Sequence, residues 1–194
     1  TFNSASPSFS SPAGVRRPPA LIFIHWITLI LIAAVVGIAF VREGIEEKAV
    51  RTALINLHRS LGLAVALLAI VRIGVRLANR PLPPSAPMPL LSRLAAQAAH
   101  LGLYVLMFAL PLIGWILSSA NGKPVSFFGL VTLPALVEED EDLGDAFAEY
   151  HEDAAWLLLA VIGFHAAAAL FHHFVTRDNV LRAMLPAWLA DRPR

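Results

Sequence analysis

The sequence predicts an all-α integral membrane protein, a four-helix up-down bundle, and three observations predict it. Of its 194 residues, 57% are hydrophobic and 15% charged, with a mean hydropathy of +0.67, a balance ordinary soluble domains do not reach. Four apolar stretches each reach the roughly 20 residues that cross a bilayer as helix. The connectors between them are polar, so the chain reads as span, turn and return.

The elements follow in order. Residues Thr1 to Pro19, rich in Ser and Pro and closed by Arg16 and Arg17, read as a disordered polar lead over 1–19. A cleavable signal peptide is the competing reading, but the apolar stretch that follows is too long for one and lacks a cleavage site. The spans are Ala20 to Val41, Leu54 to Leu77, Leu94 to Leu117 and about His151 to Phe174, within a membrane domain at 20–176. The first connector is mixed in charge, the second Pro-rich and basic, and the third, Ser118 to Tyr150, carries the acidic run EEDEDLGD. A tail at 177–194 completes the chain. Pro111 in ALPLIGW predicts a kink in the third helix. Gly37, Gly62, Gly74, Gly102, Gly114 and Gly163 read mainly as helix-packing positions, which also admit a flat group close to the backbone.

Basic residues near helix ends stay in the cytoplasm. Arg16, Arg17, Arg72, Arg76, Arg80, Arg93, Arg177, Arg182, Arg192 and Arg194 fall on the side of the termini; Arg42, Lys48, Arg51, Arg59 and Lys123 fall on the other. This asymmetry places both termini in the cytoplasm and the acidic third loop outside. The formal net charge is +1, so no bulk basic excess recommends nucleic acid as a partner; lipid is the expected surroundings.

The absence of cysteine removes disulfides, iron–sulfur clusters, thiolate-ligated and covalently attached haem, and Cys-based zinc sites. Histidine remains as the cofactor ligand. Five of the seven histidines, His25, His58, His100, His151 and His165, lie in or at the ends of the spans, where an ionisable side chain is costly unless it faces a partner inside the bundle. His151 and His165 are fourteen residues apart, about 21 Å of rise and within about 40° of whole turns, so they face one way at two depths. Up-down topology sets His25 level with His165 at the inner end, and His58 level with His151 at the outer end. Two His pairs drawn from different helices suit bis-imidazole ligation of two b-type haems, one near each membrane face.

Other residues carry alternatives. His100 also falls at the inner level, either replacing His25 as ligand or donating to a haem propionate or a quinone oxygen. Arg72, fourteen residues after His58, projects from the same face of its helix near the inner surface, where a propionate or the lipid headgroups would receive it. His172 and His173 read equally as an interfacial pair and as a route for protons. Trp26, Trp115 and Trp156 read as belt or packing residues.

The stretches IHW (Ile24 to Trp26), INLHRSLG (Ile55 to Gly62), HLGLYVLMFALPLIGW (His100 to Trp115), YHEDAAW (Tyr150 to Trp156) and GFHAAAALFHHF followed by RDN occur in this order across nearly all of the chain after residue 19. Together they resemble the bacterial cytochrome b561 family of diheme membrane cytochromes. The resemblance implies a four-helix bundle in the bacterial inner membrane, two haem b groups as cofactors on His25, His58, His151 and His165, ubiquinone as electron acceptor, and superoxide as donor on the outer face.

One charge pattern runs against that donor. Superoxide is an anion, and the third loop gathers Glu138, Glu139, Asp140, Glu141, Asp142 and Asp145. Lys123, Arg51 and Arg59 are the residues that would form a basic entrance beside them. A redox protein as donor, with the chain as the haem-bearing anchor of a dehydrogenase or hydrogenase, is the first alternative function. A His-lined metal transporter is the second, and it requires three or more ligands converging on one point.

Overall fold

The computed structural model describes residues 18–79 and 89–186; the lead and the Pro-rich connector, with Arg16, Arg17 and Arg80, and the end of the tail, with Arg192 and Arg194, lie outside the described residues. Four helices, α1 (Pro19–Glu43), α2 (Lys48–Ala78), α3 (Leu90–Ala120) and α4 (Glu141–Phe171), are each long and apolar enough to cross a membrane. A short antiparallel hairpin of β1 (Val125–Phe127) and β2 (Val131–Leu133) stands between α3 and α4, and α4 runs on into a π-helical turn, His172–Thr176.

Local chemistry sets the ends. Pro19 opens α1 with its backbone angle already helical. Asp140 caps α4 by accepting the Leu143 N–H at 3.0 Å, and Glu141 and Asp142 in the first turn complement the helix dipole, a combination worth about 1 kcal/mol. Half of the acidic run is therefore the first turns of a helix, and α4 begins ten residues before the predicted span. Helix α3 continues unbroken through Pro111, where the sequence predicts a kink.

Helices α1 and α2 pack closely, as do α3 and α4; α2 and α3 touch less, and α1 barely meets α4. The bundle is thus two helical hairpins with a thin seam between α1 and α4. Ile32, Val65, Ala69, Leu106, Met107, Leu110 and Leu158 form the buried core, at mid-bundle depth. Phe23, Ile30, Leu67, Ile70, Leu101, Leu112 and Phe164 point outward and are exposed, as side chains solvated by lipid are.

The hairpin at the loop end is held in an unusual conformation. Phe127 and Leu130 close a tight turn through Leu130 N–H to Phe127 carbonyl at 3.0 Å, and both central residues, Phe128 (φ 51°) and Gly129 (φ 74°), are left-handed. Glycine adopts that region freely; for phenylalanine it costs about 1–2 kcal/mol.

Candidate functional site

The helices bring the spanning histidines together at two levels, separated by the apolar core. At the end carrying the start of α1 and the end of α4, here the inner end, the rings of His25 and His165 lie 6.3 Å apart between centroids, and His100 stands 5.2 Å from His165. At the opposite end, His58 and His151 lie 6.1 Å apart. Two imidazoles that approach one metal ion from opposite sides at about 2 Å per bond bring their centroids to about 6 Å. Both cross-helix pairs fit that separation, and the His100 to His165 contact is shorter than it.

The outer pair is held by its far edges. His58 Nδ1 lies 3.0 Å from the Val35 carbonyl of α1, which makes that nitrogen the donor of the neutral ring and leaves Nε2 with its lone pair. His151 Nδ1 is buried on the side of Leu110 without a well-formed hydrogen bond. Its neighbour is Gly114: a Cβ built there would stand 3.1 Å from His151 Cε1, so α3 presents a glycine where the imidazole edge needs the space. At Gly37, Gly62 and Gly163 an added Cβ would have nothing within 4 Å, which leaves open space beside their helices.

The inner cluster is arranged differently. His25, His100 and His165 line one cavity with Arg72, Tyr104 and Met107. Arg72 turns into it, donating from Nη1 to His25 Nδ1 at 3.2 Å, with its guanidinium 5.8 Å over the Tyr104 ring. The cavity, about 60 Å³, has the volume of a gap and not of a macrocycle, so a flat cofactor enters only as the side chains that line it move aside. Among the described residues, no three His, Asp or Glu side chains are grouped to hold a metal ion, the arrangement a His-lined transporter requires.

Of the three basic residues expected at the outer pair, Arg59 stands beside His58, and Arg42 joins it there in place of Arg51 and Lys123. Arg42, at the end of α1, and Arg59 both act electrostatically on His58 and on each other, and both are partly buried. Helical side chains lean toward their own N-terminus, so Arg42 reaches inward from α1 as Arg59 reaches outward from antiparallel α2. Arg59 also donates to Asn56 Oδ1 at 3.2 Å. Arg51 is exposed. Lys123 is exposed on a separate groove of about 680 Å³ between the hairpin and the end of α3, with Trp115, Val125, Pro134, Glu138 and Glu139.

Beyond the inner cluster, the π-helical turn at the end of α4 returns the chain so that Asp178 Oδ2 meets His172 Nδ1 at 2.5 Å, with Thr176 Oγ1 donating to the same oxygen at 3.2 Å. His172 is seven residues past His165 and thus on the same helix face, about two turns nearer the inner surface. His173 Nδ1 is buried without a partner among the described residues. Trp26 Nε1 donates to the Met184 carbonyl at 2.8 Å, Trp115 Nε1 to the Pro134 carbonyl at 3.0 Å, and Trp156 packs edge-on against Phe40, so the tryptophans hold elements together.

Fold and site together define a class, a four-helix membrane bundle with paired histidines at both ends. The chain belongs to the prokaryotic cytochrome b561 family, whose pattern matches residues 16–187. It is 36% identical over 133 residues to cytochrome b561 homolog 2 of Escherichia coli (strain K12), covering 67% of this chain and 69% of that protein. It is 35% identical over 166 residues to the probable superoxide oxidase CybB of Yersinia pestis, covering 84% and 92%. A third relative, cytochrome b561 homolog 1 of Escherichia coli (strain K12), is 34% identical over 169 residues, covering 85% and 94%. The protein is accordingly a multi-pass bacterial membrane cytochrome b with an electron-transfer role, and its family implies b-type haem.

Proposed function

We propose that this cytochrome carries two haem b groups, one on His58 and His151 and one on His25 and His165, and passes electrons from superoxide at the outer face to ubiquinone. The observation that carries this reading is the pair of cross-helix His separations, 6.1 and 6.3 Å, at opposite ends of one bundle. Both termini lie in the cytoplasm, since the basic residues favour the inner end.

Bound haem supplies one-electron exchange at its iron. The chain supplies the rest. Val35 fixes the His58 tautomer, and Gly114 gives His151 its place. Arg42 and Arg59 set positive potential beside the outer pair, which draws an anion. Two superoxide anions each lose one electron and leave as dioxygen; ubiquinone gains both electrons, and two protons from the inner side make it ubiquinol. Arg72 would leave His25 for a haem propionate, a stronger, charge-assisted partner. The dyad of His172 and Asp178, with Nδ1 fixed by the carboxylate, is suited to carry those protons.

The superoxide donor rests on likeness to the probable superoxide oxidase of Yersinia pestis and on the two arginines. A redox protein as donor is the second reading, favoured by the exposed carboxylates of Glu138, Glu139, Asp140, Glu141, Asp142 and Asp145, which repel a small anion. Stopped-flow mixing with superoxide separates the two. Superoxide reduces the haems, superoxide dismutase abolishes that reduction, and added ubiquinone reoxidises them. Arg42→Gln with Arg59→Gln slows the reduction and flattens its salt dependence, since exposed charges are screened over about 8 Å at physiological ionic strength. Reduction unaffected by dismutase leaves the protein donor as the reading.

A further inference from the structure

Ser60 is buried, at 3% exposed, on the side of α2 that faces away from the core. Val65 and Ala69 are the residues α2 gives to the core, and Ser60 stands about 140–180° round the helix from them. It is in line instead with Leu67 and Val71, two and three turns further on, which point outward and are exposed. What covers Ser60 on that outward stripe is the hairpin of β1 and β2. Ser60 Oγ shares its proton between the Asn56 carbonyl of its own helix and the Ser126 carbonyl of β1, and accepts the Phe128 N–H, each at 3.0 Å. Val125 is buried beside it, and β1 packs on α2 and α3. The hairpin is thus folded back along the outside of the bundle.

Two features of the hairpin fit lipid and not water. The first is composition: between Lys123 and Glu138 the chain has no charged residue over fourteen positions, and the tip exposes Phe128, Leu130 and Val131, the last two at 81% and 61%. A contiguous exposed apolar patch of this kind marks an interaction surface. The second is the treatment of the backbone. The Ser126 carbonyl and the Phe128 N–H lie on the hairpin edge that meets α2, and in apolar surroundings such groups need a partner that lipid cannot give; a serine of the helix supplies both. Depth agrees with composition. Ser60 is six residues inside the start of its span at Leu54, about 9 Å of rise, where headgroups give way to hydrocarbon.

We propose that the Val125–Leu133 hairpin is an interfacial anchor, its tip of Phe128, Leu130 and Val131 seated in the outer leaflet beside α2, with lipid as the partner of that apolar surface. The surface continues the outward stripe of Leu67 and Val71, which lipid already solvates. Ser60 is a positioning residue that holds the hairpin at this depth. The anchor fixes the level of the connection between α3 and α4 and leaves the carboxylates that follow, from Glu138 onward, on the water side.

The chain has no cysteine, so a spin label enters at one introduced site at a time. Leu130→Cys and Val131→Cys are labelled in the full chain in lipid nanodiscs of phosphatidylcholine and phosphatidylglycerol, with Leu67→Cys as the lipid-facing standard and Glu138→Cys as the water-facing one. Collisions with oxygen, which concentrates in lipid, and with a water-soluble nickel chelate are then compared. The oxygen-to-chelate ratio at both tip positions falls within about threefold of the Leu67 standard and about tenfold above the Glu138 standard. A ratio like that of Glu138 overturns the proposal, and shielding from both reagents overturns it in favour of a second copy of the chain covering the tip. Leu130→Glu gives a reading free of any label: in the same nanodiscs the carboxylate leaves the apolar boundary and backbone hydrogen exchange over residues 125–133 quickens about tenfold or more. Exchange equal to the wild type there overturns the anchor, since an exposed tip in water accepts a glutamate without consequence.

Discussion

At the residue scale, the two histidine pairs differ in how far the protein alone has prepared them. The outer pair has His58 fixed by a backbone carbonyl and His151 seated against a glycine, whereas at the inner pair Arg72 occupies the Nδ1 of His25. Each ligand then has a distinct expected effect. His58→Ala or His151→Ala removes one haem, and His25→Ala or His165→Ala the other; His100→Ala, whose ring stands closer to His165 than two imidazoles on opposite sides of one metal ion would, retains both. Haem content with redox titration checks this, and loss of the inner haem in His100→Ala in place of His25→Ala would reverse the inner assignment. Gly114→Val is a sharper probe, because a Cβ already meets His151 at 3.1 Å and overpacking costs about 1–3 kcal/mol. It lowers outer haem occupancy with the helices intact, measured by visible absorption beside far-ultraviolet circular dichroism. The histidine depths were legible in the sequence because helical rise and up-down topology convert numbers into levels. Arg42 and Tyr104 were not, since their roles depend on which faces of two helices meet.

At the element scale, the spans were legible and their polar extensions were not. Helix α4 starts at Glu141 because Asp140 caps it, a signal present in the sequence as an Asp ahead of acidic first-turn residues but read as part of an acidic loop. The hairpin likewise hid in three-residue strands whose β-branched Val125, Val131 and Thr132 are too few to form a pattern. The far end of α4 carries a pH prediction. Burial alone would raise the Asp178 carboxyl, but the Val180 N–H, His172 and Thr176 outweigh it and hold it below its ordinary value of 3.8. A carboxyl depressed in the folded state stabilises it above the unfolded value, and that stability disappears as pH falls through the lower folded value. The turn after α4 is therefore firm above about pH 4 and loosens in stronger acid, and Asp178→Asn loosens it at neutral pH. Hydrogen exchange over residues 172–182, corrected for intrinsic rates, measures both; protection equal to wild type in Asp178→Asn would show that the dyad does not hold the turn.

At the scale of the whole molecule, two tightly packed helical hairpins meet along a seam where α1 barely touches α4, and the imidazoles of His25 and His165 bridge that seam. Packing of this kind predicts a bundle stabilised by what lies in the seam, because a ligand bound only by the folded state adds its binding free energy to stability. Haem-free protein should unfold at a lower temperature than haem-loaded protein, as a thermal melt followed by circular dichroism would show. Charge is segregated on the outer face, with Arg42 and Arg59 beside His58 and the carboxylates at the start of α4. That division was only half legible, since composition shows the acidic run but not that its residues are divided between a loop and a helix. The central claim is that the paired histidines at the two ends hold two haems. A pyridine haemochrome assay on purified, folded protein, read with its reduced-minus-oxidised spectrum, tests it most directly: two haem b per chain with the bands of six-coordinate low-spin iron is the expected result, and one haem or fewer per folded chain would contradict it.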